Sequence, residues 1–277
     1  MRSVSLSVVQ RHLAVALLGL GSLGTALAEM PTDQYWIGLE YFYPTITSTA
    51  RVDFPGTNVP GTEVRLEDEL GLSDRKGTPY FLAGMRLGQN WRLEFEYYTL
   101  NRSATRAIDR DINFGDISFP VSGSVSSKFD STIYRLTGGY AFFKTKEAEV
   151  GGAFGLHMTD FKLQLSGQGN GPAGFAFQSE SRTALVPLPT LGLYGGYVFA
   201  DQFVVRGRVD WLSLTYDKYH GQLINWFGGV DWRFLKNVGA GVGYRYVDYK
   251  LDSTNEHLYG KVVYNFKGPT IYLEAAF

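Results

Sequence analysis

From Gln34 to the C-terminus the chain alternates with a period of two. In Trp91-Arg92-Leu93-Glu94-Phe95-Glu96-Tyr97 the odd positions are apolar and the even positions are charged, so an extended strand here has one greasy face and one ionic face. A single strand of this kind fits a water-soluble sandwich as well as a membrane barrel. Strand number, length and connections separate the two. Ten strands are predicted, at roughly 34–46, 78–88, 91–106, 122–143, 148–165, 182–199, 202–217, 220–234, 238–251 and 257–277. Most exceed the ~5–6 residues usual in soluble sheets and meet the ~9–11 needed to cross a bilayer at a tilt. The connections alternate in size. Gly88-Gln89-Asn90, Lys144 to Glu147, Ala200-Asp201 and Leu235-Lys236-Asn237 are tight, whereas Thr47 to Gly77, Ala107 to Val121 and Ser166 to Ser181 are long and polar or Gly-rich. Short inner turns alternating with long outer loops predict an all-β fold, a transmembrane antiparallel up-and-down β-barrel of about ten strands, with eight or twelve as the neighbouring even counts.

Aromatic residues gather at the short-turn ends: Tyr35, Trp91, Phe142, Phe199, Phe203, Trp232, Phe234 and Phe277. This is the composition of a girdle at headgroup level, and Tyr43, Tyr97, Trp226 and Tyr246, one crossing further on, fit the opposite girdle. The final residues Ile271-Tyr272-Leu273-Glu274-Ala275-Ala276-Phe277 alternate and end on an aromatic. They resemble the C-terminal strand of outer-membrane barrel proteins, whose terminal Phe is read by the barrel-assembly machinery. With Gly-aromatic pairs such as Gly139-Tyr140 and Gly243-Tyr244, the layout as a whole is similar to small outer-membrane barrels of the OmpA and OmpW type. That resemblance implies an outer membrane of the Gram-negative kind, with membrane lipid and lipopolysaccharide as surroundings.

The N-terminus changes the domain reading. Arg2, Arg11 and His12 precede the apolar run Leu13 to Leu20, and Thr25-Ala26-Leu27-Ala28 supplies small residues before Glu29, so residues 1–28 are predicted to be a signal peptide and 29–277 the barrel domain. Without that peptide Lys+Arg falls from 26 to 24 against 27 acidic residues, and a net charge of −3 gives no footprint for nucleic acid. The absence of cysteine removes disulfides, thiolate zinc sites and a cysteine nucleophile.

Assigning the apolar parity to lipid sends Glu40, Arg86, Arg92, Glu94, Glu96, Arg135, Arg206, Arg208, Asp210, Asp231, Arg233, Arg245 and Glu274 inward, seven arginines against six carboxylates. In a bore of about ten strands such long side chains meet across the lumen, and near balance of sign favours mutual pairing, because an unpaired confined charge is costly. The expected function is therefore a non-enzymatic barrel with a charge-filled narrow lumen and a structural or interaction role at the cell envelope. A small-solute-selective channel lined by the same residues is the alternative.

An outer-membrane enzyme acting on lipid or peptide is the rival from another class. His157 with Asp160, His220 with Asp217 and Ser213, and His257 are its candidate groups, but no nucleophile elbow, His-Glu-x-x-His spacing or phosphate-binding glycine loop accompanies them. No catalytic residue, cofactor or metal is expected. The acidic cluster Glu67-Asp68-Glu69 lacks a regular calcium-loop pattern and reads as solvated loop, with Leu66, Leu70 and Leu72 hinting at a helical turn packed on the barrel mouth.

The last strand is irregular in sequence. Val262, Tyr264 and Phe266 put apolar residues on even positions, whereas Ile271, Leu273, Ala275 and Phe277 put them on odd ones, which predicts a β-bulge near Lys267-Gly268-Pro269. The tail itself generates a test. Replacing Phe277 with serine is expected to cut the level of assembled protein in cells several-fold while leaving the unfolding free energy of refolded protein within about 1 kcal/mol of the parent, as for an exposed position; equal cellular levels would refute the assembly role.

Overall fold

The computed structural model describes residues 33–53, 61–171, 174–200, 202–216, 219–255 and 258–277. The predicted signal peptide, His257 and Asp217 lie outside them. Among the described residues fourteen strands are formed: β1 (Tyr35–Phe42), β2 (Thr45–Val52), β3 (Val64–Arg65), β4 (Thr78–Leu87), β5 (Trp91–Ala107), β6 (Ile112–Phe114), β7 (Ile117–Phe119), β8 (Ser124–Lys144), β9 (Ala148–Gly171), β10 (Gly174–Ala200), β11 (Phe203–Tyr216), β12 (Tyr219–Leu235), β13 (Val238–Asn255) and β14 (Leu258–Ala276).

Antiparallel pairing runs β1-β4-β5-β8-β9-β10-β11-β12-β13-β14 and closes where β14 returns to β1. β14 pairs through Ala276↔Trp36 to Thr270↔Phe42 with β1 and through Lys267↔Thr45 to Gly260↔Val52 with β2. β1 and β2 are thus one stave interrupted at Tyr43-Pro44, where proline has no N–H to give. Counted so, the ring has ten staves. The β4–β5 turn carries Gly88 at φ 69°, a left-handed conformation that glycine adopts without steric cost.

The expected bulge at Lys267-Gly268-Pro269 is not formed. The β13–β14 ladder runs through Tyr246↔Lys267, Arg245↔Gly268 and Tyr244↔Pro269 without a register shift. Even positions of β14 face inward from Gly260 to Ala276. What changes is the surroundings, and the chain answers by inverting its polarity. In the half next to the short turns, apolar residues face out, with Leu39 65% and Phe154 62% exposed. In the half next to the loops they face in, with Phe42 0% and Phe129 1% exposed, while Lys128, Asp130, Lys162, Lys250, Asn265 and Lys267 point outward. The barrel therefore has an inner storey embedded in lipid and an outer storey standing in water with its own apolar core.

That core is largely aromatic. Phe129 meets Tyr264 edge-on at 5.3 Å and Phe161 at 5.9 Å, Phe161 meets Tyr249 at 5.1 Å, and Tyr264 reaches Phe266 at 4.9 Å, so rings from β8, β9, β13 and β14 cross the bore. Each such contact contributes about 0.5–1.5 kcal/mol beyond the area it buries. Leu66, Leu70 and Leu72 of the first outer loop pack on this core, their helical turn closed by Glu69 N–H to Arg65 O and Gly71 N–H to Glu67 O. β6 and β7 add Ile112, Phe114, Ile117 and Phe119.

The segment Ser166 to Ser181, expected to be a loop, is ladder instead at its described residues, 166–171 and 174–181. β9 and β10 stay paired from Glu180↔Leu165 out to Gly174↔Gly171. Above the lipid a hairpin needs no apolar face, so its polar composition misleads. The ladder between β10 and β11 ends early, at Leu191↔Trp211, just before Pro187 and Pro189, which can donate no hydrogen bond across a seam.

Single cysteines can read the parity, since the chain has none of its own. On intact cells, Val263→Cys is expected to react with a membrane-impermeant maleimide and Val262→Cys to remain protected; the reverse pattern would restore the bulge.

Candidate functional site

The inner storey presents its even or odd inward positions to one narrow space, and the structure places all the sequence-derived lumen residues there. Arg135 on β8 and Glu96 on β5 face each other across the ladder, 2.9 Å apart. Arg135 also donates to Asp210 on β11, and Asp210 accepts from Arg208 at 2.9 Å. Arg208 in turn reaches Glu94 at 2.8 Å and the Thr137 hydroxyl at 3.1 Å, and Glu94 takes Arg92 at 2.5 Å. On the other side Tyr80 donates its hydroxyl to Glu96, and Arg245 lies 4.4 Å over the Tyr80 ring while pairing with Glu40 at 3.4 Å. The result is a chain of alternating signs across the bore, the arrangement that lets confined charges be satisfied by one another.

Three further groups stand closer to the short turns. Arg206 pairs with Asp231 at 3.1 Å and Glu274 at 3.0 Å, and Arg233 pairs with Asp33 at 2.5 Å. Arg86 holds Glu149 in a two-pronged contact at 3.0 and 2.6 Å. Asp33 and Glu149 were missed in the sequence. Glu149 was findable, because Val150, Phe154 and Leu156 on β9 fix lipid-facing parity and leave 149 inward; Asp33 precedes the first strand and carried no such signal.

The arginines are also stacked. Arg92 is sandwiched between Trp36 at 4.8 Å and Tyr194 at 4.7 Å, and Arg206 lies 4.9 Å over Tyr272, contacts worth about 0.5–2 kcal/mol each. Inward glycines make the room. A Cβ at Gly139 would lie 2.8 Å from Arg92 and 2.9 Å from Tyr194, and one at Gly243 2.6 Å from Phe227. This explains the Gly139-Tyr140 and Gly243-Tyr244 pairs: the glycine is a socket inside and the tyrosine a lipid contact outside. A cavity of about 100 Å³ lies between Tyr80, Arg92, Arg208, Arg245 and the Glu147 rim.

The girdle residues Tyr35, Trp91, Phe142, Phe199, Phe203, Trp232, Phe234 and Phe277 are all exposed on the outer surface of the inner storey. Phe203 stacks between Phe199 at 5.8 Å and Trp232 at 6.5 Å.

The candidate catalytic groups do not converge. His157 is buried in the lumen opposite Arg135, whereas Asp160 lies on the other face of β9. His220 is exposed and contacts Thr215 at 2.6 Å and Gln222 at 3.2 Å. The acidic cluster of the first loop is paired rather than free. Glu67 accepts from buried Arg102 at 2.5 Å and from the Ser48 amide at 2.8 Å, Glu69 pairs with Arg110 at 2.7 Å, and Asp68 pairs with Arg65 at 3.0 Å. Among the described residues no group of three His, Asp or Glu side chains is placed to hold a metal ion.

No family model matches the chain, and no curated protein matches it in sequence. Its fold is similar to solved structures. The outer membrane protease OmpT from Escherichia coli shares 12% identity at a TM-score of 0.56, covering 92% of this chain and 100% of that one. The translocator domain of the autotransporter NalP from Neisseria meningitidis shares 13% at 0.46, over 97% and 94%, and the toluene transporter TodX of Pseudomonas putida 9% at 0.35, over 88% and 90%. The likeness to OmpT shows that the chain has the fold of an outer-membrane β-barrel protein.

Glu96 is the hub on which the network can be tested. Glu96→Gln is expected to destabilise refolded protein by about 2–3 kcal/mol in urea titrations, less than the ~3–5 typical of a broken dry ion pair because Asp210 still holds Arg135. Adding Arg135→Met should recover part of that loss. Additive effects of the two substitutions would show that the pair is not coupled.

Proposed function

We propose that this protein is a closed, non-enzymatic outer-membrane barrel that holds a rigid platform above the membrane for interaction at the cell surface. The observation that carries the reading is the stacking of two seals in one bore. Ion pairs among seven arginines and their carboxylates fill the inner storey, and the Phe129, Phe161 and Tyr264 rings fill the outer one. An ion entering from the loop side would have to shed its water to pass between packed aromatic rings, beside which buried Arg102 is already paired with Glu67, at a cost of several kcal/mol. The platform is the outer storey with the β9–β10 hairpin, and lipopolysaccharide and the barrel-assembly machinery are its proposed partners in the envelope.

Two other readings have less support. A small-solute channel would use the same lumen, but the cavity there is about 100 Å³ and ends under the aromatic plug. Proteolysis, the activity named for OmpT, would need a base and an acid together; here the described histidines lie beside Arg135 and beside Thr215 and Gln222.

Planar bilayers decide between platform and channel. The parent protein is expected to give no steady current steps above the membrane background, and a large, persistent, ion-selective conductance would overturn the closed-barrel reading. Peptide and lipid turnover should be the same for the parent and for a His157→Gln/His220→Gln variant; a loss in the variant would reinstate the enzyme.

A further inference from the structure

We propose that Arg75, Lys76 and Lys267 form a site on the outer wall of the barrel that binds the phosphate group of an outer-leaflet lipid. The inference is independent of whether the lumen conducts, and requires only that the barrel sit in its membrane.

The three cations are brought together by register. On the outward face Lys267 of β14 lies between Tyr246 of β13 and Thr45 of β2, and Thr45 bridges in turn to Arg75. Neighbouring strands are about 4.8 Å apart, so the backbones of Lys267 and Arg75 are about 10 Å apart. Two long side chains can close that distance on one tetrahedral anion. Lys76 follows directly in the chain, and all three side chains are exposed.

Height selects the ligand. One row nearer the membrane, Pro269 of β14 is paired with Tyr244 and takes the Tyr43 amide at 3.0 Å. Tyr43, Tyr244 and Trp226 are exposed, with Trp226 stacked on Tyr244 at 5.7 Å and on Tyr246 at 6.0 Å. An aromatic patch of this kind marks the headgroup level, so the cations above it stand at the depth where lipid phosphates lie.

Their charge is also uncompensated. Several other cations of the outer storey are paired, as Arg51 with Asp53 at 2.9 Å, Lys128 with Asp130 at 3.0 Å and Lys250 with Asp248 at 3.3 Å. Among the described residues Arg75, Lys76 and Lys267 have no carboxylate within ion-pair distance, and Asp74, the acid nearest in the chain, is exposed and uses its main-chain carbonyl to accept from Ile46. Against Asp74 the cluster keeps an excess of two positive charges, which a phosphomonoester at the bilayer surface would neutralise.

Phosphatidic acid is a suitable probe because it carries a phosphomonoester at the right depth. Parent protein in phosphatidylcholine nanodiscs containing a minor fraction of phosphatidic acid should retain phosphatidic acid in preference to phosphatidylcholine after partial delipidation, as counted by native mass spectrometry. In Arg75→Gln/Lys76→Gln/Lys267→Gln the preference should fall by about five-fold per cation removed at low salt, and added salt should weaken it in the parent. Lys128→Gln/Lys162→Gln, on the β8–β9 wall, should leave it unchanged, and heat-modifiable migration on gels reports that each variant is folded. Equal retention by the triple variant and the parent, or displacement of the lipid by millimolar inorganic phosphate, would overturn the proposal.

Discussion

A strand in a closed barrel cannot exchange its inner and outer faces without slipping or bulging the ladder, because side chains alternate with a period of two. The solvent around this barrel changes part-way along every long strand while the register does not. The sequence must therefore change the meaning of its parity. β14 does so between Phe266 and Ile271, where even positions pass from apolar core residues to Gly268, Thr270 and Glu274, and odd positions pass from Asn265 and Lys267 to Ile271 and Leu273. β5 does the same, from Arg92, Glu94 and Glu96 inside the lipid zone to Tyr98 and Leu100 inside the water zone. Closure and constant register together make a two-storey molecule from one set of strands.

The two storeys solve opposite problems. In lipid the outside is apolar by necessity, and the inside must fill a narrow bore. Arginine suits this task because its fork serves two carboxylates at once, as Arg135 does between Glu96 and Asp210. Its flat face also stacks, so Arg92 fills space between Trp36 and Tyr194. Glycines at 84, 139, 151, 241 and 243 yield the volume these groups occupy. In water the outside must be polar and the core can be apolar, and loop segments contribute to it. Arg102 marks the junction in the loop direction, buried between Glu67 of the first loop and Ser48 of β2 and lying 5.5 Å over the Phe129 ring. It ties the first loop to the wall where an apolar contact alone would leave the loop free to slide.

Much of this was legible in the sequence, and the reason is the lipid. A bilayer forces strict alternation with apolar residues outward, so Trp91 to Tyr97 and Phe203 to Trp211 declared both strand and facing, and the lumen charges followed by parity. The outer storey was harder to read. Ser166 to Ser181 has the polar, Gly-rich composition of a loop yet its described residues form a water-exposed ladder, and Val262 to Phe266 has apolar residues on the face that lipid parity would call outward. Both departures have one origin: hydrophobic periodicity reports which face avoids water, and cannot by itself say whether water lies inside or outside the strand. Pairings such as Arg102 with Glu67, 35 residues apart, leave no mark on local periodicity at all.

The inversion also bears on why a barrel of this size should be closed. With charges in both storeys, a bore of ten staves would hold a continuous polar column, and the pairing of the inner network would compete with hydration from both ends. Capping one end with packed rings removes water from one side of the network. Arg135, Glu96, Asp210 and Arg245 are the members nearest that cap by register, since Tyr80 touches both Glu96 and Arg245 and stacks at 4.8 Å on Tyr98 of the aromatic core. They line the same cavity as Arg92, Arg206 and Arg208, but on the cap side packed rings stand where water would otherwise screen them. The apolar plug and the ionic plug are thus coupled through Tyr80: the rings dry the ion pairs, and the ion pairs hold the staves at the spacing the rings require.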